Sequence, residues 1–335
     1  MNTQQLAQVV CNVFALGTPV AEPQVITGGL LHHMWRLETT QATFAVKELN
    51  PEIMSRPTAR KNYLLSERIA AAFQAEHLPA IAALQHADGP LLDIGSTTVM
   101  VFPWIDGETL SPRAPKLEYV HQIGMLLGRI HRLNLSLPEL HQPDIELISP
   151  TQWMPLVKRV SEKQLSCAGE LLDALPDLLE WSTLYNQSAE ILHRTLVVSH
   201  RDLDQKNVLW HDGHPLLIDW EAAGLINPTF EAINAALNWS GQTVGEPQQE
   251  TLAAFLQSYR SAGGVIQVTG RDALHGCLGS WLNWLYYNIR RALGELALEP
   301  AEQALGLRET ISTLSILRSL SCHIDTWAMW VDENG

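Results

Sequence analysis

The sequence predicts an α+β protein of two lobes, a small antiparallel-sheet lobe over residues 1–104 and a larger, mainly helical lobe over 105–335. Three observations carry this expectation. A chain of 335 residues exceeds one ordinary domain. Between residues 20 and 103, short extended runs alternate with glycine-rich and polar turns. From Lys116 onward the apolar residues mostly recur at helical spacing.

Taken in order, residues 3–16 place Leu6, Val9, Val10, Val13 and Phe14 at helix-like intervals, and Gly17 and Pro19 end that helix. Val25-Ile26-Thr27 leads into Gly28-Gly29. Met34 to Glu38 and Thr43 to Leu49 read as strands on either side of Thr39-Thr40-Gln41. Residues 57–73 read as a helix beginning near Pro57, which a first turn tolerates. Ile81 to Gln85 and Leu91 to Ile94 flank Ala87-Asp88-Gly89 as a hairpin. Thr97 to Phe102 form the next strand, and Pro103-Trp104-Ile105-Asp106-Gly107 break it. Tyr119, Ile123, Leu126, Leu127 and Ile130 then share one helical face. Pro138, Pro143 and Pro150 mark a looped insertion, and further helices are expected over Leu156 to Leu179, Leu184 to Leu196 and Leu274 to Leu293.

Hydrophobic residues make up 46% of the chain and there are eleven tryptophans, enough for real cores and against disorder. The 22 basic and 36 acidic side chains give a net charge of −14, which argues against nucleic acid or an anionic membrane as the main partner. The charge is uneven: −2 over residues 1–104 and −12 over 105–335. A cationic substrate suits the second part, although acidic surfaces also serve solubility. Four cysteines without a C-x-x-C pair read as reduced thiols of a cytoplasmic protein. The amino terminus lacks the basic start of a signal peptide, and no stretch reaches the roughly 18–20 apolar residues of a membrane span.

The chemistry concentrates in residues 199–221, SHRDLDQKNVLWHDGHPLLIDWE. His200, Asp202 and Asn207 stand in the spacing H-x-D-x-x-x-x-N. Val208-Leu209-Trp210 and Leu216-Leu217-Ile218 read as two strands joined by the turn His211-Asp212-Gly213-His214. Such a hairpin carries Asp202, Asn207 and Asp219 to one end. Phosphoryl transfer needs that set: a carboxylate at the attacking hydroxyl, and an amide and a second carboxylate for Mg²⁺. The plainer reading is a polar turn between two core strands. Upstream, Lys47 of Phe44-Ala45-Val46-Lys47 lies among apolar neighbours, where an unpaired ammonium is costly, so it needs carboxylate or phosphate oxygens.

With His200-x-Asp202, Asn207 and Ile218-Asp219-Trp220-Glu221 in this order, the sequence resembles the aminoglycoside phosphotransferase and choline kinase superfamily, distant relatives of the protein kinases. The resemblance implies a protein-kinase-like fold. It implies that Lys47 reaches the inner phosphates of ATP and that Glu67 holds Lys47. Gly28 and Gly29 would form the nucleotide loop. Pro103 and Trp104 would lie at the interlobe hinge beside the adenine, with Trp104 stacking on the base or packing between lobes. Asn207 and Asp219 would hold Mg²⁺, with Glu221 supporting a metal through water. Asp202 would accept a hydrogen bond from the acceptor hydroxyl, and His200 would pack under the loop. Gly124 to His131 resembles the family's helix before the catalytic loop, with His131 structural. Asn227 and Glu231 stand where the family's G-D-P-x-x-D carries aspartates, and Glu231 would accept bonds from the catalytic-loop backbone.

The resemblance thus implies a small-molecule kinase with ATP and Mg²⁺ as cofactors. Its partners would be the nucleotide and a small hydroxylated acceptor, with no nucleic acid and no membrane. Trp281, Trp284 and Asn288 share a helical face that either walls a cationic amine or belongs to a core helix. Two other readings compete. One is a metal-dependent hydrolase with His200, Asp202 and Asp219 as ligands, and the other a non-catalytic nucleotide sensor. A P-loop kinase is excluded because the chain has no Walker A pattern.

Overall fold

The computed structural model describes residues 3–26, 32–111, 116–245, 247–296 and 299–334. The chain divides into two compact units. One comprises Met1–Leu110, Leu135–Leu140 and Val198–Gly224, and the other Ser111–Asn134, His141–Val197 and Leu225–Gly335.

In the first unit, strands β1 (Gln24–Ile26), β2 (His33–Glu38), β3 (Thr43–Leu49), β4 (Leu92–Ile94) and β5 (Thr97–Pro103) form an antiparallel sheet in the order β1-β2-β3-β5-β4. Alternation along β3 sets the two faces. Phe44 and Val46 pack with Trp35, Val99 and Val101 against Leu6 and Val10 of helix α1 (Thr3–Val13). Lys47 and Leu49 have the opposite parity, and Leu49 packs with Met100 and with Tyr63 of helix α3 (Ala59–Ala75). The register sets Lys47 opposite Met34 on one side and Met100 on the other. Helix α3 buries Tyr63, Ser66, Glu67, Ala70 and Phe73, a stripe at helical spacing. It starts two residues beyond Pro57. A short helix α2 (Pro51–Met54), capped by the Asn50 side chain, precedes it and was not expected.

The expected strand over Ile81 to Gln85 does not form. Its backbone donors go to scattered acceptors instead: Ile81 N–H to Leu217 O, Ala83 N–H to the Glu67 carboxylate and Leu84 N–H to Val101 O. The hairpin after residue 207 does form. After the short strand β6 (Val197–Ser199), β7 (Val208–His211) pairs with β8 (His214–Leu217) in the register Val208 to Leu217. Asp212 and Gly213 both take positive φ, +50° and +77°, as a two-residue turn of this kind requires.

The second unit is helical: α4 (Leu117–Leu133), α5 (Trp153–Glu162), α6 (Ala168–Asp173), α7 (Leu175–Leu192), α8 (Pro228–Trp239), α9 (Gln249–Ser261), α10 (Gly270–Ala292) and α11 (Pro300–Asn334). Helices α4 and α9 approach so closely that a Cβ at Gly124 would lie 2.5 Å from Phe255 O, and one at Gly128 2.3 Å from Tyr259 O. The run read as one helix from Leu156 to Leu179 is three. Gln164, at φ +53°, follows the first, and Pro176 sits in the opening turn of α7, where its missing N–H costs nothing. On α10, Asn288 is fully buried and donates to Trp284 O at 2.9 Å. Trp284 stacks on Tyr287 and its Nε1 donates to Glu309 of α11 at 3.4 Å. This face therefore packs within the helical unit. Among the described residues no helix is long and apolar enough to cross a membrane.

Candidate active site

All the described candidate site residues fall in the first unit. His200 follows β6 and is fully buried. Its Nε2 lies 2.9 Å from Ile218 O, and its Nδ1 accepts from Asp202 N–H at 3.3 Å, so the proton sits on Nε2. The ring packs on Trp220 at 4.6 Å, and Trp220 in turn lies against Phe73 of α3. With both ring nitrogens engaged inside the protein, His200 is a loop support. The hydrolase reading needed it as a metal ligand and loses it. The fixed Trp220 also anchors the residue before it. Asp219 takes the left-handed conformation, φ +58°, as does Arg201 at +69°, an arrangement that costs a non-glycine residue roughly 1–2 kcal/mol.

The three chain segments meet as the sequence suggested. Ile218 N–H bonds Asn207 O at 3.0 Å, which sets Asp219 beside Asn207. Asn207 Nδ2 donates to Asp202 O at 2.7 Å and to Asp202 Oδ2 at 2.8 Å. The residue is 97% buried, and with its Nδ2 turned to Asp202 the amide oxygen is the end suited to a cation. Lys47 Nζ donates to Asp219 Oδ1 at 2.8 Å and to Glu221 Oε2 at 3.1 Å. Burial alone would lower its pKa, but the two carboxylate charges outweigh it and hold the ammonium well above the usual lysine range. Burial likewise favours the neutral form of Glu221. A hydrogen bond from His32 and the charge of Lys47 win, and bring Glu221 down to about 2.

Glu67 does not hold Lys47. The carboxylate accepts from Ala83 N–H at 2.6 Å, because the irregular segment after residue 80 has an inward-facing donor to satisfy. Burial pushes the Glu67 carboxyl up to about 7, offset only in part by that hydrogen bond and by Lys47. Between pH 4.5 and 7 the folded protein therefore keeps a proton that the unfolded chain has lost, so stability falls as pH rises through this window. Glu67→Gln keeps the acceptor and removes the titration. Denaturation at pH 4.5 and pH 7 should show the parent losing about 3 kcal/mol more than the variant, and parallel profiles would refute it.

In the segment where the hinge was expected, Trp104 N–H closes the ladder on Thr43 O at 3.1 Å. Its Nε1 donates to Asp106, and the Arg36 guanidinium covers one face of the ring at 5.0 Å. Pro103 has no N–H and that of Trp104 is engaged, so Ile105 is the next backbone donor in the segment. Gly28 and Gly29 lie outside the described residues. In the second unit, His131 bonds Tyr259 and Glu231 at 2.9 and 2.8 Å in the interior, so His131 is structural. Asn227 caps α8.

Three site residues were not anticipated. Lys206, four residues past Asp202, pairs with Asp202 at 3.3 Å and with Asp204 at 2.9 Å. Burial opposes its charge, but the two aspartates raise its pKa. Burial and the nearby Asp202 raise that of Asp204. His32 and Tyr63 converge on Glu221. The one available signal was spacing, since Tyr63 precedes Glu67 by one helical turn.

Over residues 22–265 the chain matches the profile of the phosphotransferase enzyme family. The chain belongs to the phosphotransferase enzyme family. It is an ATP-dependent phosphotransferase with an alcohol group as acceptor. Solved structures share the fold of this phosphotransferase at low identity. Spectinomycin phosphotransferase APH(9)-Ia, solved with ADP and spectinomycin, is 12% identical with a TM-score of 0.72, over 96% of this chain and 99% of that one. Amicoumacin kinase hAmiN, solved with AMP-PNP, Ca²⁺ and Ami, is 12% identical with a TM-score of 0.61, over 94% of each chain. The Plasmodium vivax ethanolamine kinase is 17% identical with a TM-score of 0.57, over 89% of this chain and 83% of that one. Among curated proteins no match is found.

Proposed function

We propose that the protein transfers the terminal phosphate of ATP to a hydroxyl of a cationic small molecule, an aminoglycoside-like antibiotic or an amino-alcohol metabolite. The observation that carries this is the 2.8 Å contact between Lys47 and Asp219, which joins the nucleotide lysine to the metal-binding aspartate across 172 residues of sequence. Lys47 meets the inner phosphates. Asn207 Oδ1 and the Asp219 carboxylate would hold Mg²⁺, which would supply neutralisation of the phosphate charge when bound. Among the described residues no group of three or more His, Cys, Asp or Glu side chains is gathered for a metal. That suits Mg²⁺, which takes one or two carboxylates and completes its shell with phosphate and water.

Asp202 accepts a hydrogen bond from the acceptor hydroxyl and directs its lone pair at the terminal phosphorus. The new O–P bond forms as the bridging O–P bond to ADP breaks, and the hydroxyl proton leaves by way of Asp202. Positioning supplies much of the rate, because the transition state is loose. Lys206 brings a cation beside Asp202 to the same end of the hairpin. The −12 charge of residues 105–335 supports a cationic acceptor, which we assign to that part of the chain. Reduced thiols and the need for ATP fit the cytoplasm. The neighbours solved with spectinomycin and with Ami, and the ethanolamine kinase, support both acceptor classes alike.

A screen of ATP consumption against aminoglycosides, choline, ethanolamine and thiamine, repeated with a Mg²⁺ chelator, tests the proposal. The expected result is chelator-sensitive ADP release with one class of hydroxylated amine. Phosphoester hydrolysis without ATP would favour the hydrolase, and nucleotide binding without turnover the sensor.

A further inference from the structure

Glu221 Oε2 is the most heavily engaged carboxylate oxygen of the site. It takes Lys47 Nζ at 3.1 Å, His32 Nε2 at 3.1 Å and Tyr63 OH at 3.5 Å. His32 is 91% buried, and its orientation is fixed from behind: Nδ1 accepts from Asn50 N–H at 3.0 Å. The ring proton therefore sits on Nε2 and faces the carboxylate, with the Tyr63 hydroxyl 2.9 Å away. Asn50 lies three residues beyond Lys47, just past the end of β3, and its side chain caps α2. His32 thus ties the end of the lysine strand to the carboxylate that the lysine contacts.

We propose that His32, assisted by Tyr63, is a positioning residue for phosphoryl transfer: it locks Glu221 so that Glu221, in place of Glu67, aims Lys47 at the nucleotide. This rests on the phosphotransferase reading above. Lysine has four rotatable bonds and glutamate three, so neither fixes the other unless one is held independently. Asp219, which bonds Lys47, would be shared with the metal, and Glu67 is engaged by Ala83. Glu221 is the remaining carboxylate on Lys47, and His32 and Tyr63 are the donors that hold it. An ångström of misplacement in such a site costs as much as about a hundredfold in rate.

The test compares His32→Asn with His32→Gln. Asparagine puts an acceptor near the place of Nδ1 for Asn50 N–H but cannot reach Glu221. Glutamine puts an N–H near the place of Nε2. Calorimetry with AMP-PNP and Mg²⁺, alongside thermal melting, should show His32→Asn binding about tenfold more weakly at an unchanged Tm, and His32→Gln recovering most of that loss. Tyr63→Phe, which keeps the ring and loses the hydroxyl's contacts with His32 Nε2 at 2.9 Å and Glu221 at 3.5 Å, should weaken binding by about two- to threefold. Should His32→Asn fail to fold, the Gln and Phe variants still decide. Equal affinity in His32→Asn and the parent, losses as large in His32→Gln as in His32→Asn, or affinity losses that track Tm would overturn the positioning role alone. No AMP-PNP binding by the parent would overturn the phosphotransferase reading and this inference with it.

Discussion

Asp202→Asn is expected to lower kcat by about a thousandfold while the protein stays folded and still binds nucleotide. A thousandfold corresponds to about 4 kcal/mol of transition-state stabilisation. The substitution is nearly isosteric, and its amide oxygen can still accept from Asn207 Nδ2, which bonds the Asp202 carboxylate at 2.8 Å. What disappears is the negative charge that orients the hydroxyl and receives its proton. The Asp202 side chain is 45% exposed and its ion pair with Lys206 is half in solvent, so stability should change by less than about 1 kcal/mol. Steady-state kinetics with the identified acceptor, AMP-PNP calorimetry and a melting curve check the three parts separately. A folded variant that retains parental turnover would remove Asp202 from the mechanism.

Lys47→Met should fail in a different way. Here nucleotide affinity falls together with kcat/KM, by about a hundredfold in the latter, because a charge-assisted contact to phosphate is lost in the ground state as well as in the transition state. Stability also suffers. Lys47 is 91% buried, and its removal leaves the Asp219 and Glu221 carboxylates facing each other without a counter-ion. These partners keep 37% and 28% of their side-chain exposure, so a loss of roughly 2 kcal/mol is expected, between the values for exposed and for buried pairs. The pH dependence gives a second reading. In the parent, Glu221 is held at about 2, so its contribution is complete above the unfolded value near 4.5 and disappears as pH falls through about 2. Without Lys47 that contribution shrinks, and the variant should lose less stability than the parent on acidification. A variant with parental AMP-PNP affinity would show that Lys47 does not touch the phosphates.

Much of the site was legible because it is written in short-range spacing. His200, Asp202 and Asn207 fall in one loop, Asp219 ends the strand after a turn marked by Asp212-Gly213, and Lys47 betrays itself as a charge on an apolar alternating strand. What was not legible depends on partners that only the fold supplies. Glu67 had the right helix and the right face, yet the nearest donor is a backbone N–H of a segment that looked like a strand and is not. His32 could not be told from an ordinary loop histidine until Asn50 and Glu221 were brought to its two nitrogens from 18 and 189 residues away. The helical unit was legible as helices but not in its breaks, because Gln164 and Pro176 act through backbone conformation and not through apolar periodicity.

The division of the chain, with Val198–Gly224 counted among the N-terminal residues, bears on how the protein is made. A ribosome releases the sheet lobe's lysine long before its counter-charges, which follow 172 and 174 residues later. At 5–20 residues per second that is a wait of roughly 10–30 s before either carboxylate that Lys47 bonds in the finished fold has been made. A gene fragment ending near residue 110 would encode the sheet without the hairpin that completes its charge balance. The amino-terminal third of this protein is thus a poor candidate for an autonomous folding unit, and the chain closes its first lobe only after two stretches of its second, Ser111–Asn134 and His141–Val197, have been synthesised.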